Sequence, residues 1–180
     1  KGVRSFQFHP MGIDGKPSWP FPKEQFRACI VSPFLSSKLL KFFEEKVAPC
    51  EVLVSRQEEL DKMPPDFTEP ESREVYVLNP DADPDGADET QVEGVDLARP
   101  RGLHAKLFVV EENRYVASVF TGSANATSAA FEKNIEFLIG LRGYISQTDM
   151  GIDKLLKRED DQKGDGLHAL LSVYEPTEDE

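Results

Sequence analysis

The stretch HAKLFVVEENRYVASVFTGSANATSAAFEKNIEF, residues 104–137, decides how the chain is read. "GLHAKLFVV" and "RYVASVFTG" are apolar-rich runs on either side of "EEN", which predicts a β-hairpin. Side chains two apart on a strand share a face, so His104 and Lys106 point one way, while Leu103, Ala105, Leu107 and Val109 point to the other face, which can be core. The second strand runs into "GSAN". There Gly122 permits a tight turn, and Ser123 and Asn125 add a hydroxyl and an amide. Asn125 is expected to open a helix over "ATSAAFEK", whose first N–H groups suit an anion. The next strand, "NIEFLIGL", sets Asn134 and Glu136 on one face. An imidazole, an ammonium, a hydroxyl, amides and a carboxylate are thereby expected to converge at strand ends.

That set suits phosphoryl transfer. Cleaving a phosphodiester needs a nucleophile, positive charge on the non-bridging oxygens and an acid for the leaving oxygen. Imidazole can attack phosphorus near neutral pH because its ordinary pKa is about 6.5. Lysine supplies fixed charge. A carboxylate on the far ring nitrogen would hold the reactive tautomer.

"HAK" at 104–106, "GSAN" at 122–125 and "NIE" at 134–136 resemble the HxK…GSxN…NxE pattern of the phospholipase D superfamily, and the resemblance covers roughly residues 27–142. It implies an α/β fold, a mixed β-sheet flanked by helices, forming a phospholipase D-like half-domain. It also implies that His104 forms a phosphohistidine or protonates the leaving group. Lys106, Ser123 and Asn125 would hold phosphate oxygens, and Glu136 would orient a histidine. Neither metal nor cofactor is expected. The family's acid five positions after the lysine is Glu111 here instead of Asp, a structural acid by this reading. The gap from there to Gly122 is about four residues longer than the family's, which enlarges the "EENRY" turn. The family builds its site from two motif copies, and this chain has one. A second copy is expected from homodimerisation or from flanking sequence. "TGSAN-x-T" resembles compact bacterial nuclease domains, some of which accompany helicase or restriction modules. The expected activity is therefore a metal-independent DNA nuclease. The alternatives are a noncatalytic module for dimerisation or nucleic-acid binding, and a lipid phosphodiesterase.

Outward from the motif, strands alternate with helices, as α/β folds do. "RACIVSPF", "CEVLVS" and "REVYVLN" read as strands. "LSSKLLKFFEEKVAP" reads as a helix capped by Ser36 or Ser37 and closed by Pro49. "RQEELDKM" is a short helix, and "QTDMGIDKLLKR" is expected to be a helix capped by Thr148. "GLHALLSVY" fits strand or helix. Residues 1–24 read as an irregular lead-in with a short strand at "RSFQF". The domain is set at 25–174 and an acidic tail at 175–180.

The 180 residues carry a net charge of −12, an unpromising sign for a nucleic-acid binder. Residues 81–96, inside an acidic loop set at 81–98, hold seven acids, and residues 172–180 hold four more. The remainder is nearly neutral, which argues against tight nonspecific binding through bulk charge. Arg99 and Arg101 could guide a polyanion or simply solubilise the chain. Cys29 and Cys50 sit in apolar runs and read as buried reduced thiols. Phe34, Phe42, Phe43, Phe108 and Phe137 read as core, and Trp19 as a packing residue. His9 and His168 lack the motif around them. No apolar run reaches the ~18 residues of a membrane span, and no membrane partner is expected. "KGVRSFQF" carries neither an initiator Met nor a signal-peptide pattern, so the chain reads as a piece of a longer protein with a cytoplasmic location expected.

Overall fold

The computed structural model describes residues 2–69, 71–78, 103–157 and 166–177. The acidic loop, with Arg99 and Arg101, lies outside these residues, as does the end of the acidic tail. Eight strands form one mixed sheet: β1 (Val3–Met11), β2 (Arg27–Val31), β3 (Cys50–Ser55), β4 (Glu74–Leu78), β5 (Leu107–Glu111), β6 (Val116–Gly122), β7 (Glu136–Tyr144) and β8 (Leu171–Val173). Their spatial order is β1-β7-β6-β5-β2-β3-β4-β8. β2, β3 and β4 run parallel, and the other neighbours pair antiparallel. The fold class is α/β, a mixed sheet flanked by helices.

The parallel strands need crossovers, and helices supply them. α1 (Ser37–Lys46) links β2 to β3, while α2 (Gln57–Leu60) and α3 (Pro65–Thr68) link β3 to β4. Ser36 caps α1 by accepting the Leu39 N–H at 3.4 Å. The 3.6-residue period puts Leu39, Leu40 and Phe43 on its buried face. α4 (Ser128–Glu132) joins β6 to β7, and α5 (Ile152–Leu156) follows β7. The central strands are apolar on both faces because both are covered. Phe43, Phe108, Phe120, Phe131 and Leu138 fill one core cluster, with Trp19 packed against it. Val52, Val54, Val109, Ile152 and Leu156 fill the other. Cys29 and Cys50 are buried, and burial pushes the Cys50 thiol up to about 12.

Several expectations change. The short strand expected at "RSFQF" is present but longer: β1 runs nine residues and pairs antiparallel with β7, so the lead-in belongs to the sheet. Phe34, Phe42 and Phe137 are 44%, 44% and 42% exposed, so they are not core. Phe137 stands 5.7 Å from Phe8, and Phe8 5.6 Å from Phe6, in an exposed aromatic row. Thr148 caps no α-helix; residues 145–147 form a 3-10 turn and α5 starts after Gly151. "GLHALLSVY" divides into a 3-10 turn (Leu167–Leu170) followed by β8.

Candidate active site

The strand register gathers the motif at one end of the sheet. Leu107 opens β5 opposite Thr121 of β6 and Val31 of β2, and Gly122 closes β6 opposite Leu138 of β7. His104 and Lys106 therefore precede β5 instead of lying within it, because the ladder starts at Leu107. Side chains hold this segment. Thr121 Oγ1 donates to the Lys106 carbonyl at 2.9 Å, and Lys106 Nζ donates to the His104 carbonyl at 3.2 Å. His104 is exposed and Lys106 half-buried.

The turn after β6 is set by close backbone approach. A Cβ on Gly122 would lie 2.0 Å from the Phe137 carbonyl oxygen, a clash only glycine avoids. The Ser123 N–H donates to that same carbonyl at 3.0 Å, and the Ser123 hydroxyl accepts the Phe137 N–H at 3.0 Å. The hydroxyl also donates to Glu136, whose second oxygen accepts from Asn134 Nδ2 at 3.1 Å. Asn134 lies just before β7, not on it. Ser123, Asn134 and Glu136 thus form one hydrogen-bonded group. β5 and β7 are two strand spacings apart, roughly 10 Å.

Asn125 does not cap the following helix. Thr127 does, accepting the Ala130 N–H at 3.4 Å. Ala126 and Thr127 separate Asn125 from the helix, and the Thr127 N–H donates to the Asn125 carbonyl at 2.8 Å in a tight three-residue turn. The side chain is thereby released from capping. Asn125 Oδ1 is buried with no hydrogen-bond partner among the described residues.

Glu111 sits at the opposite end of β5, 2% exposed. Its carboxylate accepts Arg27 Nε at 2.7 Å and the Ile152 N–H at 2.8 Å, and Arg27 Nη2 also bonds Asp153 at 2.6 Å. Burial opposes the Arg27 charge, but these two carboxylates outweigh it and raise its pKa. Glu111 therefore fixes α5 to the sheet, away from the motif. His9 is lowered from the ordinary imidazole value by burial and lies against Phe120, in the β1–β7 ladder opposite Leu138. His168 packs edge-on to Tyr76 at 5.6 Å.

Two residues at this sheet end escaped the sequence reading. Ser32, fully buried, follows β2; it accepts the Ala126 N–H at 2.9 Å and donates to the Phe34 carbonyl at 2.7 Å. Arg56 follows β3 and donates from Nε and Nη2 to the Leu103 carbonyl at 3.2 and 3.0 Å. The available signal was position. Each directly follows a strand of the parallel set, and ligands of open α/β sheets gather at the carboxyl ends of such strands.

Cavities of about 350 and 430 Å³ lie beside His9 and beside Trp19, away from the motif. Among the described residues no cluster of three metal-ligating side chains occurs, and no helix is long and apolar enough to cross a membrane.

No family model matches the chain, and no curated protein does. Among solved structures, the chain is similar to NucT from Helicobacter pylori, at 14% identity and a TM-score of 0.40, over 76% of this chain and 84% of that one. It is similar to the SCAN1 mutant of yeast tyrosyl-DNA phosphodiesterase 1, at 11% identity and a TM-score of 0.46, over 76% of this chain and 32% of that one. A second mutant of the yeast phosphodiesterase gives 13% identity and a TM-score of 0.39, over 76% and 31%. The chain spans about a third of the length of the yeast structures it matches.

Proposed function

We propose that the chain is a phosphodiesterase of the phospholipase D type that cleaves DNA. The observation that carries this reading is the Ser123–Glu136–Asn134 hydrogen-bonded group at the same sheet end as His104, Lys106 and Asn125. A histidine nucleophile, a cation and amide and hydroxyl donors around one tetrahedral anion meet the needs of phosphodiester cleavage.

The chemistry runs in two steps. A ring nitrogen of His104 bonds to phosphorus as the P–O bond to the leaving oxygen breaks. That oxygen takes a proton from a second histidine. Water then attacks phosphorus, the P–N bond breaks, and the second histidine recovers a proton from the water. Lys106 and Asn125 hold the non-bridging oxygens, the Ser123 hydroxyl joins them by turning its one proton from Glu136 to the phosphate, and Glu136 orients a histidine. No metal ion takes part. The second histidine comes from a second copy of the motif, and a C2 homodimer facing motif to motif is the simplest source.

The test is incubation of the purified chain with labelled DNA in EDTA, beside His104→Asn. Cleavage that persists in chelator and is lost in the variant supports the reading, as does an acid-labile, base-stable phosphoprotein trapped on denaturing quench. DNA binding without cleavage, unchanged in the variant, would mark a noncatalytic module. Hydrolysis of a phospholipid but not of DNA would move the substrate class. Full activity of a chain that sediments as monomer at high concentration would refute the dimeric site.

A further inference from the structure

The His104 segment has little ladder of its own, since β5 begins three residues later. Its upstream anchor is the fork of Arg56 on the Leu103 carbonyl. That fork is itself supported, because the guanidinium carbon lies 5.0 Å from the centroid of the Phe34 ring. The Phe34 carbonyl accepts from Ser32 Oγ, and Ser32 Oγ accepts from the Ala126 N–H. Beneath them Ser55 Oγ donates to the Ser32 carbonyl at 2.7 Å, with both serines fully buried. A continuous strap of contacts thus runs Ala126–Ser32–Phe34–Arg56–Leu103. One end adjoins Asn125 and the other adjoins His104.

We propose that Arg56 is a positioning residue. Through the Leu103 carbonyl at one end, and through Ser32 and Ala126 at the other, it sets the spacing between the His104 imidazole and the Asn125 turn. This rests on the phosphodiesterase reading of the site. The residue type follows from geometry. A planar guanidinium can place two N–H groups on one carbonyl and lie over an aromatic ring. Lysine keeps the charge but offers a compact ammonium with no fork. Displacing a reacting group by about 1 Å can cost roughly 100-fold in rate.

The experiment compares Arg56→Lys, Arg56→Ala, Ser32→Ala and the Arg56→Ala/Ser32→Ala double variant in the whole chain. The substrates are bis(p-nitrophenyl) phosphate, a lone diester, and a labelled oligonucleotide. Both Arg56 variants should lower kcat about 10- to 100-fold on both substrates, with KM for the small diester nearly unchanged. Millimolar guanidinium should restore part of the Arg56→Ala loss. Ser32→Ala should add little to Arg56→Ala, because one break already opens the strap. The His104 ring signal in 1H–13C spectra should move in both Arg56 variants. Wild-type kcat in Arg56→Lys would overturn the proposal. So would a raised KM for the oligonucleotide with unchanged kcat and an unmoved His104 signal, which would make Arg56 a substrate contact. If the wild-type chain cleaves neither substrate, the phosphodiesterase reading fails by itself. The ring signal then decides the positioning claim, and an unmoved signal in Arg56→Ala overturns it.

Discussion

Ser123 and Glu136 are joined directly: the serine hydroxyl donates to the carboxylate while accepting the Phe137 N–H at 3.0 Å. One hydroxyl thereby ties the turn after β6 to the first residues of β7. Ser123→Ala removes both bonds but keeps the bond from the Ser123 N–H to the Phe137 carbonyl. The expected stability loss is about 0.5–1.5 kcal/mol by urea titration. If the hydroxyl turns its proton from Glu136 to a phosphate oxygen on binding, as proposed, kcat on labelled DNA should also fall by roughly 100-fold. A loss of activity no larger than the loss of folded protein would show that the hydroxyl only braces the turn.

Glu111 should matter for stability and not for chemistry. Glu111→Ala leaves Arg27 partly buried with one of its close carboxylates gone and orphans the Ile152 N–H. Removing one partner of a buried pair costs about 3–5 kcal/mol. Denaturant titration should show that loss, while activity per folded molecule stays near wild type at low temperature.

Gly122→Ala should unseat the start of β7. The added methyl meets the Phe137 carbonyl oxygen, which is backbone and has no room to retreat. Forced overpacking of this kind costs about 1–3 kcal/mol. The expected readouts are a lower unfolding midpoint and faster amide exchange at Ser123, whose N–H bonds that carbonyl.

Glu112 supplies a pH test. The hydrogen bond from Arg142 holds its carboxyl below the ordinary value, against burial, which raises it. A depressed carboxyl stabilises the fold above its unfolded value, near 4.3, and loses that contribution as pH falls through the folded value. Glu112→Gln should therefore be less stable than wild type at neutral pH. The two stability curves should start to approach each other near the unfolded value, about 4.3, and meet only once pH has fallen through the lower folded value. Parallel curves down to the acid limb would show that the pair contributes nothing.

Much of this architecture was legible because it is written in local pattern. Alternation and an "EEN" turn place β5 and β6, and Ser36 with Pro49 brackets α1, since caps and breakers act within a few residues. The motif residues could be named but not seated. Asn125 looked like a helix cap because its type suits one, yet Thr127 takes that place once Ala126 is pinned by Ser32. β1 was read only in part, as the short strand at "RSFQF", because an exposed edge strand next to Gly- and Pro-rich sequence shows no buried alternation to mark its ends. Phe34, Phe42 and Phe137 were misplaced because aromatic type predicts burial on average and says nothing about which side of a loop, helix or strand stays uncovered. Arg56 was invisible because its partner, Leu103, is 47 residues away.

Trp19 is the chain's single tryptophan, and it sits among Phe21, Phe42, Phe43 and Phe131 at centroid distances of 4.8–6.1 Å. Phe131 belongs to α4, which the Asn125 turn feeds directly. The indole is therefore a built-in optical probe of that turn. Its emission maximum and quenching by acrylamide can follow, without any label, whether a substrate analogue or a strap variant disturbs the seating of α4.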